Sequence, residues 1–270
     1  MKVITACIVL YENNVEVLNK AISSVLKTKS DLKLFIVDNS KTDDLRYAMP
    51  VGNIEYIHNP SNPGFGASHN IAINKAIELG SNCHFVVNPD IYFDHDVITP
   101  MVNYMQSHDD IGMIMPQILY PDNSLQNLPK LLPNPLWLLR RKIKFPYNCY
   151  KKFVSKYELH EVPPGLIYNS PLISGCFSLL NLKVIKEVGG YDDRYFMYFE
   201  DFDLSRRIHE KYRTIYYPLV SVYHGYEGGA NKNFKLFKIF VQSAISYFSK
   251  WGWLDRERIK INNRALSQFQ

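Results

Sequence analysis

The sequence is poor in the features that mark specialised classes of protein. Its four cysteines, Cys7, Cys83, Cys149 and Cys176, are scattered through 270 residues and form neither CxxC pairs nor a Cys/His cluster of zinc spacing. Buried free thiols in a reducing compartment are the expectation. No segment approaches the ~18 uninterrupted apolar residues that a membrane span requires. Met1 to Leu10 offers Lys2 and a short apolar run, but Glu12 and an amphipathic pattern stand where a secretory cleavage site would be. That start reads as a first strand of a cytoplasmic protein. Walker A and GxGxxG loops are missing. Charge of one sign is not in large excess: 31 basic against 26 acidic residues give +5 with His neutral. The basic residues are dispersed except near 140 and 151, which argues against a nucleic-acid partner, although the balance suits anionic substrates or an anionic membrane. Neither an internal repeat nor a sharp composition break divides the chain.

What is present is globular. With 46% hydrophobic and 21% charged residues, the chain fits a single α/β domain with one elaborated end. Aromatics reach 14%, with 19 Tyr, a proportion suited to sugar stacking or interfacial contact. Val3 to Leu10, Leu34 to Val37, Ile54 to Ile57 and His84 to Val87 are short apolar runs of strand type. A helical pattern carries Val15, Leu18, Ala21, Ile22, Val25 and Leu26, and a second helix is expected from about Ala67 to Leu79. Strands apolar on both faces and separated by helices imply a mostly parallel sheet covered on both sides, whose ligands bind beyond the strands' carboxyl ends. From Tyr120 to about Pro171 the pattern breaks into a Pro-rich and Lys/Arg-rich stretch, expected to be irregular. Regularity returns with a strand over Ile173 to Leu180 and helices from Leu182 to Val188 and from near Glu200.

Polar residues follow three strands: Tyr11-Glu12-Asn13-Asn14, Asp38-Asn39-Ser40 and Asn88-Pro89-Asp90. Asp38 is placed either to accept the N–H of a pyrimidine ring or to make an Asx turn or helix cap. Asn88-Pro89-Asp90 is either a turn or the carboxylate that reaches a divalent ion on a diphosphate. The loop Asn59 to Asn70, with Gly64 and Gly66, opens onto a helix; it is a tight turn needing glycine torsions or a nucleotide contact through backbone amides and Asn70. The run Tyr195-Phe196-Met197-Tyr198-Phe199-Glu200-Asp201-Phe202-Asp203 puts three carboxylates at a helix start, favourable for the dipole. Capping alone does not account for the bulky residues before the acids, whereas a sugar-binding wall with a general base does. His224 ends a strand-like run, as a structural residue or a ligand.

Together and in this order these pieces resemble the family 2 glycosyltransferases of GT-A fold, over most of residues 1 to 230, with a particular similarity to bacterial rhamnosyltransferases of surface-polysaccharide assembly. The resemblance matches Val9-Leu10-Tyr11 to the family's opening strand, Asp38 to its base-binding Asp, and Asn62 to Gly66 with Asn70 to its Asn-x-Gly-x-Gly loop. Asn88-Pro89-Asp90 corresponds to its metal-binding DxD element, with Asn in place of the first carboxylate. It therefore implies a donor site of Val9, Tyr11, Asp38, Gly64, Gly66, Asn70 and Asn88, and an acceptor site of Tyr198 and Glu200 beside the base Asp201. Asp90 and His224 would hold Mg²⁺ or Mn²⁺. The implied reaction is inverting transfer, with L-rhamnose from dTDP-rhamnose the favoured donor and galactofuranose or another UDP-activated sugar next. A glycan or lipid-linked glycan is the implied acceptor. The domain would span 1–230 with an irregular insertion at 121–171. Residues 231–270 would form an amphipathic helical extension whose stretch 232–260, with Phe234, Phe237, Phe240, Trp251 and Trp253 among lysines, either lies on the inner face of the cytoplasmic membrane or packs on the core. A nucleotidyltransferase is a poorer match, lacking its Gly- and basic-rich loop after the first strand. A catalytically silent sugar-binding protein would not need Asp201.

Overall fold

A computed structural model describes residues 3–225 and 234–270. Lys2, Lys232 and the boundary expected at residue 230 lie outside the described residues. Strand β1 (Ile4–Leu10) is buried along its whole length and pairs in parallel with β2 (Leu32–Asp38) and β4 (Cys83–Val87), while β2 pairs in parallel with β3 (Ile54–His58). Helix α1 (Val15–Leu26) starts where the Asn14 side chain accepts the N–H groups of Glu16 and Val17, satisfying donors that the helix itself cannot. It buries Leu18, Ala21, Ile22 and Val25, at roughly 1.5–3 kcal/mol for each large aliphatic side chain. Helix α2 (Phe65–Glu78) covers the sheet with Ala72, Ile73 and Ala76. This half is the helix-covered parallel sheet expected from the apolar runs.

Beyond β4 the sheet continues in mixed sense. Its order is β3-β2-β1-β4-β8-β6-β9-β5, with β7 pairing β9. The two-residue β5 is Ile91–Tyr92, and helix α3 (Ile98–Gln106) leads into β6 (Ile111–Leu119). Strand β7 is Tyr168–Asn169, β8 Phe177–Asn181 and β9 Arg213–His224. Strand β6 carries no clean sequence signal because Gly112 and Pro116 interrupt it; the β6–β9 ladder shifts register at both places, as expected where proline removes a donor. A side chain at Gly112 would collide with Ile208, so helix and strand approach closely there.

The stretch expected to be irregular holds two helices, α4 (Pro135–Lys142) and α5 (Tyr147–Tyr157). Asn134 caps α4 through the Trp137 N–H, and Trp137 packs edge-on against Phe153 and Tyr157. Periodicity missed these helices because their charged residues are numerous and their buried faces narrow. The expected strand Ile173 to Leu180 begins only at Phe177; residues before it form a loop at the site. Helices α6 (Leu182–Val188) and α7 (Glu200–His209) follow as expected.

The extension folds into α8 (Phe234–Trp251) and α9 (Glu257–Ser267), and much of it is docked on the domain. Lys250 Nζ lies 2.7 Å from both Asp192 and Asp203. Trp251 donates its indole N–H to Asp203, Ser243 donates to the Met197 carbonyl, and Asn262 bonds both backbone groups of Leu132. Trp251 is therefore a packing residue, while Phe234, Phe237 and Trp253 remain exposed. Among the described residues no helix is long and apolar enough to cross a membrane.

Candidate active site

The register of β1 sets Leu10 beside Asp38 and Ile8 beside Val87, so the three polar segments leave one edge of the sheet together. They open on a cleft of about 1670 Å³. Val9, Tyr11, Asn39, Gly64, Asn88 and Asp90 line its donor-like side; Gly175, Tyr198, Glu200 and Asp201 line the other, with His224 between. A smaller cavity of about 330 Å³, beside Tyr168, His209 and Arg264, gathers no carboxylate and offers no comparable chemistry.

Asp201 occupies the first turn of α7. Its Oδ2 accepts the Gly175 N–H at 3.2 Å and its Oδ1 the Phe202 N–H at 2.9 Å. Tyr198 and Phe199, immediately before the helix, both hold left-handed backbone with φ of 69° and 66°, a conformation costing of order 1–3 kcal/mol for such residues. This turn aims the acids into the cleft. Burial raises the Asp201 pKa, opposed by the two N–H groups and by the Lys130 charge. Glu200 lies next to it, buried, with Oε2 lacking a hydrogen-bond partner among the described residues. Burial and then the Asp201 charge push Glu200 well above the ordinary carboxylate range. Of the pair, Asp201 ionises first. Lys130, from the 121–171 stretch, lines the same cleft, and burial lowers its pKa to about 8 against the pull of Glu158.

The aromatic run divides between two jobs. Phe196, Tyr198 and Phe199 line the cleft, whereas Tyr195 is fully buried; Phe199, nearly buried, also joins Tyr195 in a cluster with Tyr247 and Phe248 of α8. The sugar-wall reading therefore does not extend to Tyr195.

On the sheet side of the cleft, Gly64 has φ of +107°, and a side chain there would collide with the Phe196 carbonyl. The Phe65 N–H donates to that carbonyl at 2.8 Å, which ties the two sides of the cleft together. Gly66 is outside the cleft lining: a Cβ on it would come within 2.8 Å of Tyr191. Asn70 is also outside it. Its side chain donates to the Tyr191 carbonyl and accepts the Tyr191 N–H, both at 2.8 Å. Both residues thus clasp the turn that precedes the aromatic run. Asp38 is fully buried behind Asn39; one oxygen accepts the Ser40 N–H, as in an Asx turn, and the other accepts the Tyr56 hydroxyl.

Asp90 and His224 lie close, with Oδ1 and Nε2 3.4 Å apart. Gln126, which sequence reasoning did not single out, decides what that nitrogen presents. Its Nε2 donates to the His224 carbonyl at 2.9 Å, so its Oε1 faces His224 Nδ1 at 3.0 Å and requires the proton there. In the neutral ring, Nε2 then turns a lone pair toward the Asp90 carboxylate, and the Asn88 amide nitrogen is 3.4 Å from it. Asn88 Oδ1 is buried without a partner among the described residues. Two facing acceptors and an orphaned carbonyl oxygen fit a divalent cation. No larger set of three His, Cys, Asp or Glu side chains gathers among the described residues, so a ligand's oxygens would have to complete the coordination. Arg206 and Arg207 do not reach the cleft. Arg206 is buried against Asp255 at 2.6 Å, and Arg207 donates to the carbonyls of Val188, Gly189 and Gly190.

Comparison with known proteins agrees with this architecture. The family model "Glycosyl transferase family 2" matches residues 5–189. The chain belongs to that family, and its class is that of a sugar-transferring enzyme of GT-A fold. The match ends before α7, so Tyr198, Glu200, Asp201 and His224 lie beyond it. The chain is 24% identical over 212 residues to an N-acetylglucosaminyl-diphospho-decaprenol L-rhamnosyltransferase of Mycobacterium tuberculosis, covering 74% of this chain and 68% of that protein. It is 25% identical over 197 residues to the rhamnosyltransferase WbbL of Escherichia coli, covering 69% and 70%. Among solved structures, GalNAc-T7 with UDP, GalNAc and Mn²⁺ superposes with a TM-score of 0.61 at 16% identity, over 84% of this chain and 44% of that one. A mannosyltransferase of Pyrobaculum calidifontis with GDP-Man and Mn²⁺ gives 0.57 at 11% identity, over 98% and 74%.

Proposed function

We propose that the protein is an inverting transferase that moves L-rhamnose from dTDP-rhamnose to a hydroxyl of a lipid-linked glycan, at the inner face of the cytoplasmic membrane. The observation that carries this reading is the placement of Asp201: partly exposed, in a cleft walled by Phe196 and Tyr198, opposite the donor-like edge of the sheet. The rhamnosyl donor and the polyprenyl diphosphate acceptor are supported by the names of the two relatives above, one of which acts on a diphospho-decaprenol.

In this mechanism the N–H groups of Gly175 and Phe202 fix both oxygens of Asp201, leaving lone pairs for an acceptor hydroxyl. Asp201 takes the hydroxyl proton as that oxygen attacks the anomeric carbon, and the nucleoside diphosphate departs from the opposite face. Glu200, whose carboxyl burial and the neighbouring Asp201 hold well above the ordinary range, binds the acceptor beside Asp201. Val9, Tyr11 and Gly64 bound the donor, with Asn88 beside its diphosphate. Asp38 reads the pyrimidine N–H once the Tyr56 hydroxyl is exchanged for it. Asp90 and His224 would hold a Mg²⁺ or Mn²⁺, which when bound supplies Lewis-acid stabilisation of the leaving diphosphate.

Nucleotide release measured across a panel of dTDP- and UDP-sugars tests the reading. Turnover should be greatest with dTDP-rhamnose and should fall about 10²–10⁴-fold in Asp201→Asn, the share that general-base catalysis contributes, with calorimetric donor affinity retained. Preference for a UDP-sugar would reassign the donor, and near-wild-type turnover of the variant would remove Asp201 as base.

A further inference from the structure

The 121–171 stretch carries a surface that the transfer chemistry does not explain. From the end of α4 into the first turn of α5, every residue from 143 to 149 is exposed. Within that span and the adjoining α4 stand five large apolar side chains: Leu136 at 72% exposure, Leu139 at 56%, Ile143 at 48%, Phe145 at 79% and Tyr147 at 65%. Their interior neighbours are already used, since Trp137, Phe153 and Tyr157 pack on one another. Folding therefore leaves the outer apolar set in water, at a cost that an isolated surface leucine would not represent. Lys144, Lys151 and Lys152 are exposed among them, and no acidic residue occurs between Asn134 and Tyr157.

This surface adjoins the active-site cleft. Leu138, Arg141, Lys144 and Tyr150 of the hairpin line the cleft, as do Lys235, Leu236, Ile239 and Phe240 of α8. Leu138 and Phe240 also pack on the same aromatic cluster, so hairpin and helix flank one opening. Along α8, Phe234, Phe237, Val241 and Ile245 recur at helical spacing and are all exposed. Two basic, apolar faces thus border the mouth through which an acceptor must enter. The exposed Lys144, Lys151 and Lys152 of the hairpin and Lys235 and Lys238 of α8 surround these protruding aromatic and aliphatic side chains, an arrangement complementary to a layer of anionic headgroups over hydrocarbon.

We propose that the α4–α5 tip, residues 143–149, inserts into an anionic phospholipid bilayer together with the exposed face of α8, setting the cleft mouth at the membrane surface. This deepens the reading of a membrane-held acceptor, yet it requires no donor, acceptor or turnover. It also assigns membrane contact chiefly to the insertion, because the C-terminal half of the extension is docked on the domain.

Flotation of the full chain with vesicles of phosphatidylglycerol and phosphatidylethanolamine, against phosphatidylcholine alone, tests it. Binding is expected to the anionic vesicles, to weaken as salt shortens the Debye length, and to drop at least tenfold in the double variant Ile143→Asp/Phe145→Asp. Val51→Asp, at an exposed apolar residue beside the β3 edge, should float as wild type does. Cys149 is exposed whereas Cys7, Cys83 and Cys176 are buried, so an environment-sensitive fluorophore can be placed at the tip alone; its emission should shift to the blue on anionic vesicles. Retained dTDP binding by the double variant would show that it folds. Flotation unaffected by the double variant, or a fluorophore that reports water throughout, overturns the proposal. So does a dimer in sedimentation that the same substitutions dissociate, since a second copy would then cover the face. A protein that floats as described but binds no nucleotide would leave the docking intact and remove the transferase reading.

Discussion

Glu200 and Asp201 are adjacent in sequence but meet different surroundings, and the difference separates their chemistry. Asp201 receives two backbone N–H groups, while Glu200 is buried with one oxygen unpartnered. A carboxyl whose pKa is raised by folding binds its proton more tightly in the native state, so stability is full below the unfolded pKa and declines as pH rises toward the folded one. Glu200 should therefore cost stability on the alkaline side, by up to about 1.4 kcal/mol per pH unit. Melting temperatures between about pH 5 and 9 should fall more steeply for the wild type than for Glu200→Gln, and parallel curves would show that Glu200 does not titrate there. Asp38 gives a second contrast. If it reads the base, Asp38→Asn should weaken dTDP binding by about tenfold, the ~1.4 kcal/mol of a charge-assisted hydrogen bond, whereas Tyr56→Phe, which frees the same oxygen, should bind as tightly or more so. Loss of affinity in Tyr56→Phe alone would confine Asp38 to its turn. Position after a strand made Asp38 visible in the sequence; that its carboxylate would be met by Tyr56 depends on β2–β3 pairing, which no local pattern reveals.

At the level of elements, α7 and α8 are bound through buried charge. Asp203 accepts from Arg207, Lys250 and Trp251, and Arg206 pairs with Asp255 beneath the Trp251 ring, 4.0 Å from its centroid. Removing one partner of such a pair leaves the other buried and uncompensated. Asp255→Ala is thus expected to lower unfolding stability by about 3–5 kcal/mol in denaturant titration, and a change under about 1 kcal/mol would mean that Arg206 finds water. The acids at 200, 201 and 203 were legible as a cluster, but not their division between cleft and interior, because Asp203's partners come from residues 250 and 251. Strands β1, β2 and β4 were legible because they are buried on both faces; β3, a half-buried edge strand whose Glu55 pairs with Lys33 and Lys75, showed only as the short run Ile54 to Ile57. Strand β6 was not legible, since Gly112 and Pro116 serve a close helix contact and a register shift. Helices α4 and α5 escaped notice because their apolar residues point both inward to Trp137 and outward to solvent, which blurs a single-face period.

Across the whole molecule, the proposed metal site exists only by assembly. Asp90 follows the first sheet half, His224 ends β9, and Gln126 comes from the stretch that sequence left without a role; their meeting depends on β5 pairing antiparallel with β9, which sets Ile91 beside His224. Resemblance to family motifs picked out Asp90 and His224 in the sequence, but nothing near Gln126 announces that it holds the ring. Its position nevertheless sets the tautomer of the neutral ring: with Gln126 Nε2 committed to the His224 carbonyl, Nδ1 carries the proton and Nε2 is left for a metal. Excess EDTA should accordingly abolish transfer, and Mn²⁺ should restore it at lower concentration than Mg²⁺, because imidazole is a poor ligand for the harder ion. Gln126→Leu keeps both ligands while releasing the ring, so the Mn²⁺ concentration needed for half-maximal activity should rise roughly 10–100-fold, with maximal turnover largely regained at saturation. Full activity in excess EDTA would end the metal role. An unchanged Mn²⁺ requirement in Gln126→Leu would instead leave the ion in place and show that the ring needs no help from the insertion.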